Sequence, residues 1–262
     1  MQKPNFLCIG AQKSGTTWLH HWFSQREDLY VPSKKELMFF DVEANYRKGS
    51  EWYYNFFEDV KKETVIGEVT PGYMWVSSSY PEWNPPSEFR QAIPERIYAN
   101  LGPNVKIVAI LRNPIDRAMS AFMHHKKKNR INESERFFDV AHKFGIVHMG
   151  FYYAHLLRYL ETFSSNNIHV VSYEEFFSNS EARRDLSKFL TGIADDGSQY
   201  LAKGVHRGLG FTRGVNGVMD NQENKIADRT DIEKLTSLYS DDVAHLREQF
   251  KIDTSKWHEF KG

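Results

Sequence analysis

The sequence predicts an α/β fold, in which a single domain spanning residues 1–262 holds a central parallel sheet flanked by helices. Short apolar segments of strand length alternate with longer segments of helical apolar spacing, and this alternation is typical of a parallel sheet with both faces covered. The clearest segment, Val105–Leu111, is almost continuously apolar, as a strand buried on both faces requires. No internal repeat, low-complexity tract or convincing linker divides the chain, so one domain is expected.

The spacing of apolar residues, and the residues that bound each segment, place the individual elements. The expected strands, in chain order, are Phe6–Ile9, Thr64–Val69, Val105–Leu111 and Ile168–Tyr173. The first expected helix begins at Thr16. A second is expected over about residues 50–60, with Ser50 as its cap. The others are expected at about residues 87–101, 116–125, 150–163, 180–190 and 231–250. The remaining segments are a loop entering a short strand or helix (29–41), an irregular loop and candidate lid (77–87), a polar excursion (126–150) and two glycine-rich patches (203–210 and 213–217).

The charge balance argues against two classes of partner. Lysine plus arginine and aspartate plus glutamate each number 34, so the formal net charge is zero. General nucleic-acid binding needs a basic field, and we therefore expect no nucleic-acid partner. A net charge of zero also weakly disfavours a highly sulfated polyanion as substrate, although a chain with no net charge can still have a local basic cleft.

Cysteine content and apolar segment length bear on the compartment. Cys8 is the only cysteine, so no intramolecular disulfide can form, and a reducing compartment is expected. Residues 1–4 lead directly into the first expected strand without a signal peptide, and no segment has the apolar length of a transmembrane helix. We therefore expect a cytoplasmic enzyme without membrane contact, or an excised catalytic domain.

Residues 5–22 combine a strand, a glycine-bearing loop and a helix start, which together form a typical anion site. The backbone N–H groups of residues 14–18 are expected to have no partner within their own helix, and the positive end of the helix dipole points the same way. Lys13 adds a full charge, and Thr16 and Thr17 add hydroxyl donors. This pattern predicts a bound phosphate; the alternative is a helix cap with a solvated lysine.

The order of residues in this loop distinguishes it from a Walker A loop, in which the lysine follows the second glycine. Here Lys13 precedes Gly15 by two residues. The segment Gln12–Trp18 resembles the 5′-phosphosulfate loop of sulfotransferases that use 3′-phosphoadenosine 5′-phosphosulfate (PAPS). That resemblance implies cofactor contacts from Lys13, Ser14, Gly15, Thr16, Thr17 and Trp18, with Lys13 also acting in catalysis.

A second anion motif follows the clearest strand. Arg112 stands directly after Val105–Leu111, and Ser120 lies eight residues further on, about two turns into the next helix. Ligands of open α/β sheets bind at the carboxyl ends of strands, and a guanidinium can grip a phosphate with two hydrogen bonds. The pair resembles the family's 3′-phosphate motif, which implies that Arg112 and Ser120 bind the 3′-phosphate of PAPS. The alternative is a surface ion pair between Arg112 and Asp116.

Two phosphate sites on one sheet suit a doubly phosphorylated adenosine better than they suit ATP. A kinase would need the first site plus acidic ligands for Mg²⁺. The sequence has no His or Cys spacing typical of zinc, and sulfuryl transfer in this family needs no metal. The resemblance therefore implies PAPS as cofactor, adenosine 3′,5′-bisphosphate (PAP) as product, and no metal.

Glu68 is the candidate general base. It lies near the end of the second expected strand, in a segment that resembles the Glu-Lys-x-Pro-x-Tyr region of the heparan-sulfate-type branch, where the glutamate takes a proton from the acceptor. Val69 stands where that branch has lysine, which leaves the local charge and substrate contacts open. The alternative is that Glu68 pairs with a structural arginine such as Arg96.

Further resemblances involve the acceptor and the nucleotide. Residues 34–40 resemble a Lys-Glu-x-x-x-Phe-Phe segment that lines the acceptor pocket in related enzymes, although a solvated charge run is an equal alternative. The implied acceptor contacts are Lys35, Glu36, Phe40 and Tyr73. The implied further nucleotide contacts are Tyr173, at the end of a strand, and Lys203, Gly204, His206 and Arg207, in a cationic loop.

Together these motifs predict a PAPS-dependent sulfotransferase of the heparan-sulfate-like and bacterial tailoring branch. Its fold is expected to be like that of nucleotide kinases, and its acceptor is a hydroxyl or amine on a small molecule, a carrier-bound intermediate or a glycan. Two alternatives stay open. One is a nucleotide or small-molecule kinase, and the other is a nucleotide-binding module that has lost catalysis.

Overall fold

A computed structural model describes residues 2–198, 211–214, 217–220 and 225–260 of the chain. Its central feature is a five-stranded sheet in the order β2-β3-β1-β4-β5, and every neighbouring pair is parallel. The strands are β1 (Phe6–Gly10), β2 (Leu29–Tyr30), β3 (Val65–Val69), β4 (Lys106–Leu111) and β5 (Ile168–Ser172). The predicted α/β class with a central parallel sheet is therefore confirmed, as are the four predicted strands; β2 lies within the segment expected to enter a short strand or helix.

Helices cover both faces of this sheet. They are α1 (Thr16–Ser24), α2 (Glu43–Tyr46), α3 (Gly49–Tyr54), α4 (Glu88–Gln91), α5 (Ile93–Leu101), α6 (Pro114–Lys127), α7 (Phe137–Val140), α8 (Tyr152–Leu160), α9 (Tyr173–Ser178), α10 (Ser180–Thr191) and α11 (Arg229–Phe250). One buried cluster joins α1, α9 and α10 to one face, and a larger one joins α3, α5, α6, α8 and α11 to the other. Burial on both faces explains the nearly continuous apolar sequence of β1 and β4.

Two helix predictions differ from the structure in detail. Ser50 lies inside α3, whose N-cap is Lys48, so the expected Ser50 cap is wrong. The single helix expected over 87–101 is divided into α4 and α5 at Ala92, with Pro94 in the first turn of α5. Proline has no N–H to continue the hydrogen bonds of a preceding helix, and it fits best in a first turn, so a new helix begins there.

A second sheet lies in the part of the chain where only glycine-rich patches were noted. Strands β6 (Phe211–Gly214), β7 (Gly217–Asp220) and β8 (Lys225–Asp228) pair antiparallel in that order. Each has only four residues, too few for an alternating apolar pattern to stand out.

The strand order places the ends of β1, β3 and β4 side by side. Since β1 lies between β3 and β4, the loop after β1 is flanked by the segment that follows each neighbour. The chain reaches β2 and β3 on one side of β1 before it crosses to β4 on the other, and ligands of open α/β sheets bind at such a reversal of direction. In the described ranges, no helix is long and apolar enough to span a bilayer.

Candidate active site

The loop between β1 and α1 presents backbone donors at the start of α1. The N–H of Ser14 donates to the Ala11 carbonyl at 3.2 Å, and that of Trp18 to the Gly15 carbonyl at 3.0 Å. Neither acceptor lies within α1 (Thr16–Ser24), so both groups lack a partner in their own helix as expected, but the loop and the N-cap residue already engage them. Within the described residues, the N–H groups of residues 15–17 have no protein acceptor, so three donors point out at the helix start.

Gly15 is required by its own backbone and by a neighbouring ring. Its φ is +85°, a left-handed conformation that favours glycine. A Cβ there would lie 2.9 Å from Cε2 of Tyr173 and 3.0 Å from Cε2 of Phe177, closer than side chains tolerate. Tyr173, the first residue of α9, therefore packs directly on the loop, in the neighbourhood where the sequence predicted a nucleotide contact.

Arg112 links the two predicted phosphate motifs. It follows β4, is only 5% exposed, and donates from Nη1 to the carbonyl of Lys13 at 3.3 Å. Its guanidinium also lies 5.5 Å from the centroid of the Tyr173 ring. Burial, followed by the positive charges of Arg112 and Arg117, lowers the pKa of Lys13. The structure thus brings Lys13, Arg112 and Tyr173 together at the carboxyl ends of β1, β4 and β5.

The positions of the other predicted cofactor residues say less about nucleotide binding. Ser14 and Thr16 are buried in the loop and first helical turn, whereas Thr17 is exposed; the Trp18 side chain packs in the core against α9. Ser120 is half-buried in the second turn of α6, the helix that follows Arg112. The remaining predicted contacts lie outside the described residues: Lys203, Gly204, His206 and Arg207.

Glu68 is enclosed by hydroxyl groups. It lies in β3, is 1% exposed, and accepts hydrogen bonds at Oε1 from the hydroxyls of Tyr53 and Tyr73, both at 2.8 Å. Thr70 donates its hydroxyl to Oε2 at 2.7 Å. Burial raises the pKa of Glu68 to about 7, although the three hydroxyls act in the opposite direction. A carboxyl group with this pKa is suited to taking up a proton near neutral pH.

The alternative structural role for Glu68, an ion pair with Arg96, is wrong. Arg96 directs its guanidinium to the carbonyl of Phe40, at 2.7 Å from Nη2, and over the ring of Phe89, at 3.8 Å from the centroid. The enclosure of Glu68 therefore contains neutral donors rather than a cation, which is why burial dominates its pKa.

The predicted Lys-Glu segment lies beside the loop. The ammonium of Lys35 contacts the carboxylate of Glu36, and their side chains are 18% and 35% exposed, so the pair is largely shielded from solvent. Glu36 has a φ of +61°, and its N–H donates to the carbonyl of Val69 at 3.2 Å, at the end of β3. Its negative charge partly opposes the lowering of the Lys13 pKa, as a carboxylate near the loop after β1 would do.

Two predicted acceptor contacts lie beneath the surface. Phe40 and Tyr73 are fully buried, and their rings pack edge to face with centroids 5.4 Å apart. The hydroxyl of Tyr73 accepts from the N–H of Phe39 at 3.0 Å while it donates to Glu68. These two residues connect the Lys-Glu segment to the candidate base, and their direct contact with an acceptor stays a prediction.

Comparison with known proteins decides the family. The family model described as the sulfotransferase domain matches residues 3–193, well over half of the 262 residues. The chain belongs to the sulfotransferase family. This confirms the resemblance to PAPS-dependent sulfotransferases, which was based on the motifs that follow β1 and β4.

Individual relatives agree with this assignment. The human bifunctional heparan sulfate N-deacetylase/N-sulfotransferase 2 is 28% identical over 205 residues, covering 71% of this chain but only 22% of the human protein. The crystal structure of a sulfotransferase from Alicyclobacillus acidocaldarius has a TM-score of 0.71 and 27% identity, covering 98% of this chain and 100% of that one. Mouse sulfotransferase SULT7A1, crystallised with PAP, has a TM-score of 0.52 and 16% identity, covering 95% of this chain and 83% of that chain; it shows a shared fold.

This sulfotransferase chain also contains supporting residues that sequence reasoning missed. Trp257, outside the range that the family model matches, donates its indole N–H to Oε2 of Glu174 at 2.8 Å. The other oxygen of Glu174 accepts the N–H of Asn113 at 3.2 Å, directly after Arg112. No motif or spacing could have paired Trp257 with Glu174, because 83 residues separate them. Tyr53 was likewise expected only as an apolar helix residue.

Proposed function

We propose that this chain transfers the sulfuryl group of PAPS to a hydroxyl or amine acceptor and releases PAP. The observation that carries the proposal is the meeting of two anion motifs in one place: Arg112 bonds to the carbonyl of Lys13, and Tyr173 packs on both the loop and the guanidinium. A single adenosine with phosphates at both ends would occupy the two motifs together.

The residues present fit such a nucleotide. The N–H groups of residues 15–17, which have no acceptor among the described residues, and the ammonium of Lys13 would hold the 5′-phosphosulfate. Arg112 and Ser120 would hold the 3′-phosphate, and Tyr173 would contact the nucleoside. When bound, PAPS supplies a sulfuryl group attached to a phosphate leaving group.

The protein's own part in transfer is to move one proton and to stabilise one charge. Glu68 takes the proton of the acceptor, which replaces the Thr70 hydroxyl at Oε2; Oε1 keeps its hydrogen bonds from Tyr53 and Tyr73. Lys13 stabilises the negative charge that develops on the leaving phosphate, together with the N–H groups of the loop. Lys35 and Glu36 lie beside the loop and would contact the acceptor.

The proposal also includes the class of acceptor and the compartment in which the protein works. A hydroxyl or amine on a small molecule, a carrier-bound intermediate or a glycan can donate its proton to a buried carboxylate in this way. Cys8, the only cysteine in the sequence, is buried and free, which supports a reducing compartment such as the cytoplasm.

Isothermal titration calorimetry with two nucleotides tests the cofactor site. PAP should bind at least about tenfold more tightly than adenosine 5′-monophosphate, since only PAP has the second phosphate. Arg112→Ala should remove that preference and leave affinity for the monophosphate nearly unchanged. Lys13→Ala should reduce turnover with PAPS by about a hundredfold or more and reduce PAP affinity far less, because its charge acts most strongly on the leaving phosphate. Lys188→Ala, an exposed lysine of α10, is the matched control.

Three results would contradict the proposal. Equal affinity for the two nucleotides would show that the second phosphate has no site. Unchanged turnover in Lys13→Ala would remove that residue from catalysis. Transfer of phosphate from ATP with Mg²⁺ would support a kinase, and PAP binding without transfer to any acceptor would support an inactive nucleotide-binding module.

A further inference from the structure

Two fully buried histidines face the segment that follows the candidate base. His148 lies in a short helical turn before α8, and His155 lies in α8. Neither side chain is exposed, and the centroids of their rings lie 5.2 Å apart. Buried polar atoms are nearly always hydrogen-bonded, so the partners of these ring nitrogens indicate what the pair does.

His155 accepts two backbone N–H groups from one segment. Its Nδ1 atom accepts the N–H of Val76 at 3.3 Å and that of Ser77 at 3.0 Å. Its Nε2 atom lies 3.2 Å from the carbonyl oxygen of His148. Because a backbone N–H can only donate and a carbonyl can only accept, Nδ1 has no proton and Nε2 carries one. The ring of His155 is therefore neutral and fixed in a single tautomer.

His148 is fixed in the same tautomer. Its Nδ1 atom accepts the indole N–H of Trp75 at 3.1 Å, and its Nε2 atom donates to the carbonyl of Ser79 at 2.8 Å. Burial is the largest cause that lowers the pKa of both histidines, and the pKa of His148 is about 4. Both rings are therefore neutral at physiological pH, as their hydrogen bonds require.

Two tyrosines hold the ends of the same segment. The hydroxyl of Tyr159, in α8, donates to the carbonyl of Tyr73 at 2.7 Å. The ring of Tyr80 stacks on Phe151, with centroids 3.7 Å apart and an angle of 11° between the planes. Residues 73–80 are therefore held at both ends and at several points between them.

Tyr73 connects this segment to Glu68. Its hydroxyl donates to Oε1 of Glu68 at 2.8 Å, and its ring is fully buried. A hydrogen bond to a carboxylate favours the charged form, so the Tyr73 hydroxyl opposes the rise that burial causes in the pKa of Glu68. Other titratable side chains that interact with Glu68 include Tyr53 and Cys8, which are neutral because burial raises the pKa of each. The pKa of Glu68 therefore depends on where the Tyr73 hydroxyl lies.

We propose that His155, supported by His148, is a positioning residue for the candidate base. It holds the backbone of residues 75–79 and so keeps the Tyr73 hydroxyl on Glu68. His155 acts through Tyr73 and not by contact with the carboxylate. This inference rests on the proposed function in one respect, that Glu68 is the base; the link between His155 and Glu68 does not depend on a bound nucleotide.

An NMR titration of nucleotide-free protein with isotope-labelled glutamate carboxyl groups measures the pKa of Glu68 directly, and the Glu68→Gln variant identifies its signal. The wild-type midpoint should lie at about 7. Tyr73→Phe should raise the midpoint by at least about half a pH unit, because it removes a hydroxyl that stabilises the carboxylate. His155→Leu should raise it by a similar amount, because Val76 and Ser77 lose their acceptor and the segment moves.

A double variant and two single variants show whether His155 acts through Tyr73. Tyr73→Phe combined with His155→Leu should titrate within about a quarter of a pH unit of Tyr73→Phe alone, because both changes remove the same hydrogen bond. His155→Asn supplies a side-chain acceptor again and should return the midpoint most of the way to the wild-type value. His169→Leu, the control, removes a histidine of β5 that packs on Phe189 and should leave the midpoint unchanged. A purely structural role for His155 would lower the unfolding temperature without moving the midpoint.

If His155→Leu does not fold, Trp75→Phe keeps the test possible, because it removes only the indole N–H from His148 and should still raise the midpoint. An unchanged midpoint in these variants would overturn the inference. Shifts that add in the double variant would also overturn it, because His155 would then act on Glu68 by another route. If the midpoints move as expected but PAPS supports no transfer, the proposed function fails and the link between His155 and Glu68 remains.

Discussion

The ring of Tyr173 lies so close to Gly15 that a Cβ at Gly15 would approach its Cε2 atom to 2.9 Å. One residue belongs to the loop after β1 and the other begins the helix after β5. The same ring lies 5.5 Å from the guanidinium of Arg112. The shape of the loop after β1, a central strand, therefore depends on a contact with the first residue of the helix that follows β5, an edge strand.

Gly15→Ala should weaken PAP binding by at least about tenfold, because the loop must move away from Tyr173. Gly192 provides a matched control: its φ is +82°, but a Cβ there would have no neighbour within 4 Å. Both variants incur about 1–2 kcal/mol of left-handed strain, whereas only Gly15→Ala has the clash. Calorimetric PAP titrations and thermal unfolding of both proteins separate the two effects. Equal PAP affinity in the two variants would contradict this account.

Glu68→Gln should abolish transfer and leave PAP affinity within about twofold of wild type, because the proposed role of the carboxylate is to act on the acceptor and not on the nucleotide. In the wild-type protein, kcat/KM should rise with pH through about 7 as Glu68 loses its proton. The measurement is a pH–rate profile between pH 5 and 9 at saturating PAPS. Residual activity in Glu68→Gln with the same rising limb would assign the base to another group, such as His124 or His206.

The same substitution should change the pH dependence of stability. The pKa of Glu68 is about 7 in the folded protein against an ordinary value of 4.5, so the folded state holds this proton more tightly than the unfolded state does. The free energy of unfolding therefore falls as pH rises from 4.5 to about 7, by up to about 3 kcal/mol from this group. Glu68→Gln should remove that loss.

Urea unfolding of wild type and Glu68→Gln at pH 5 and pH 8 measures this effect. The variant should gain stability relative to wild type between the two pH values. Asp242, whose pKa burial also raises to about 7, is present in both proteins and cancels in the comparison. A stability difference that is constant with pH would mean that Glu68 is not protonated preferentially in the folded state.

Trp257→Phe should weaken PAP binding about threefold to tenfold and leave kcat at saturating PAPS nearly unchanged. The substitution keeps an aromatic ring but removes the 2.8 Å hydrogen bond to Glu174, which fixes the backbone N–H of Asn113 beside Arg112. Trp22→Phe is the control, since Trp22 is equally buried and donates to the carbonyl of Gly197 at 3.2 Å. A similar loss of PAP affinity in both variants would mean that general destabilisation, and not the lost hydrogen bond to Glu174, causes the weaker binding.

The sequence predicted those parts of the site that lie on one continuous segment. The loop of residues 10–18 and the strand before Arg112 combine buried apolar runs with charged residues at fixed spacing, and that local pattern specifies their structure. The three hydroxyls around Glu68 come from two places in the chain, so the position of Tyr53 depends on tertiary packing. The same holds for Trp257 and Glu174.

The hydrogen bonds of the Ser14 and Trp18 N–H groups to the preceding loop could not be predicted, for a different reason. A helix start predicts free donors, but it does not predict how tightly the preceding turn closes on its own carbonyls. The antiparallel strands β6–β8 were not predicted, because strands of four residues that contain glycine show no periodic apolar pattern.

The hydrogen bond from Trp257 to Glu174 has a consequence for biosynthesis. Through Glu174, Trp257 fixes the backbone N–H of Asn113, directly after the arginine that would grip the far phosphate. Trp257 is made about 145 residues later than that arginine, at a synthesis rate of about 5–20 residues per second. A nascent chain in which Trp257 has not yet emerged would therefore hold a nucleotide poorly, even with the whole parallel sheet already folded. Under the proposed function, nucleotide capture would wait for the segment that contains Trp257.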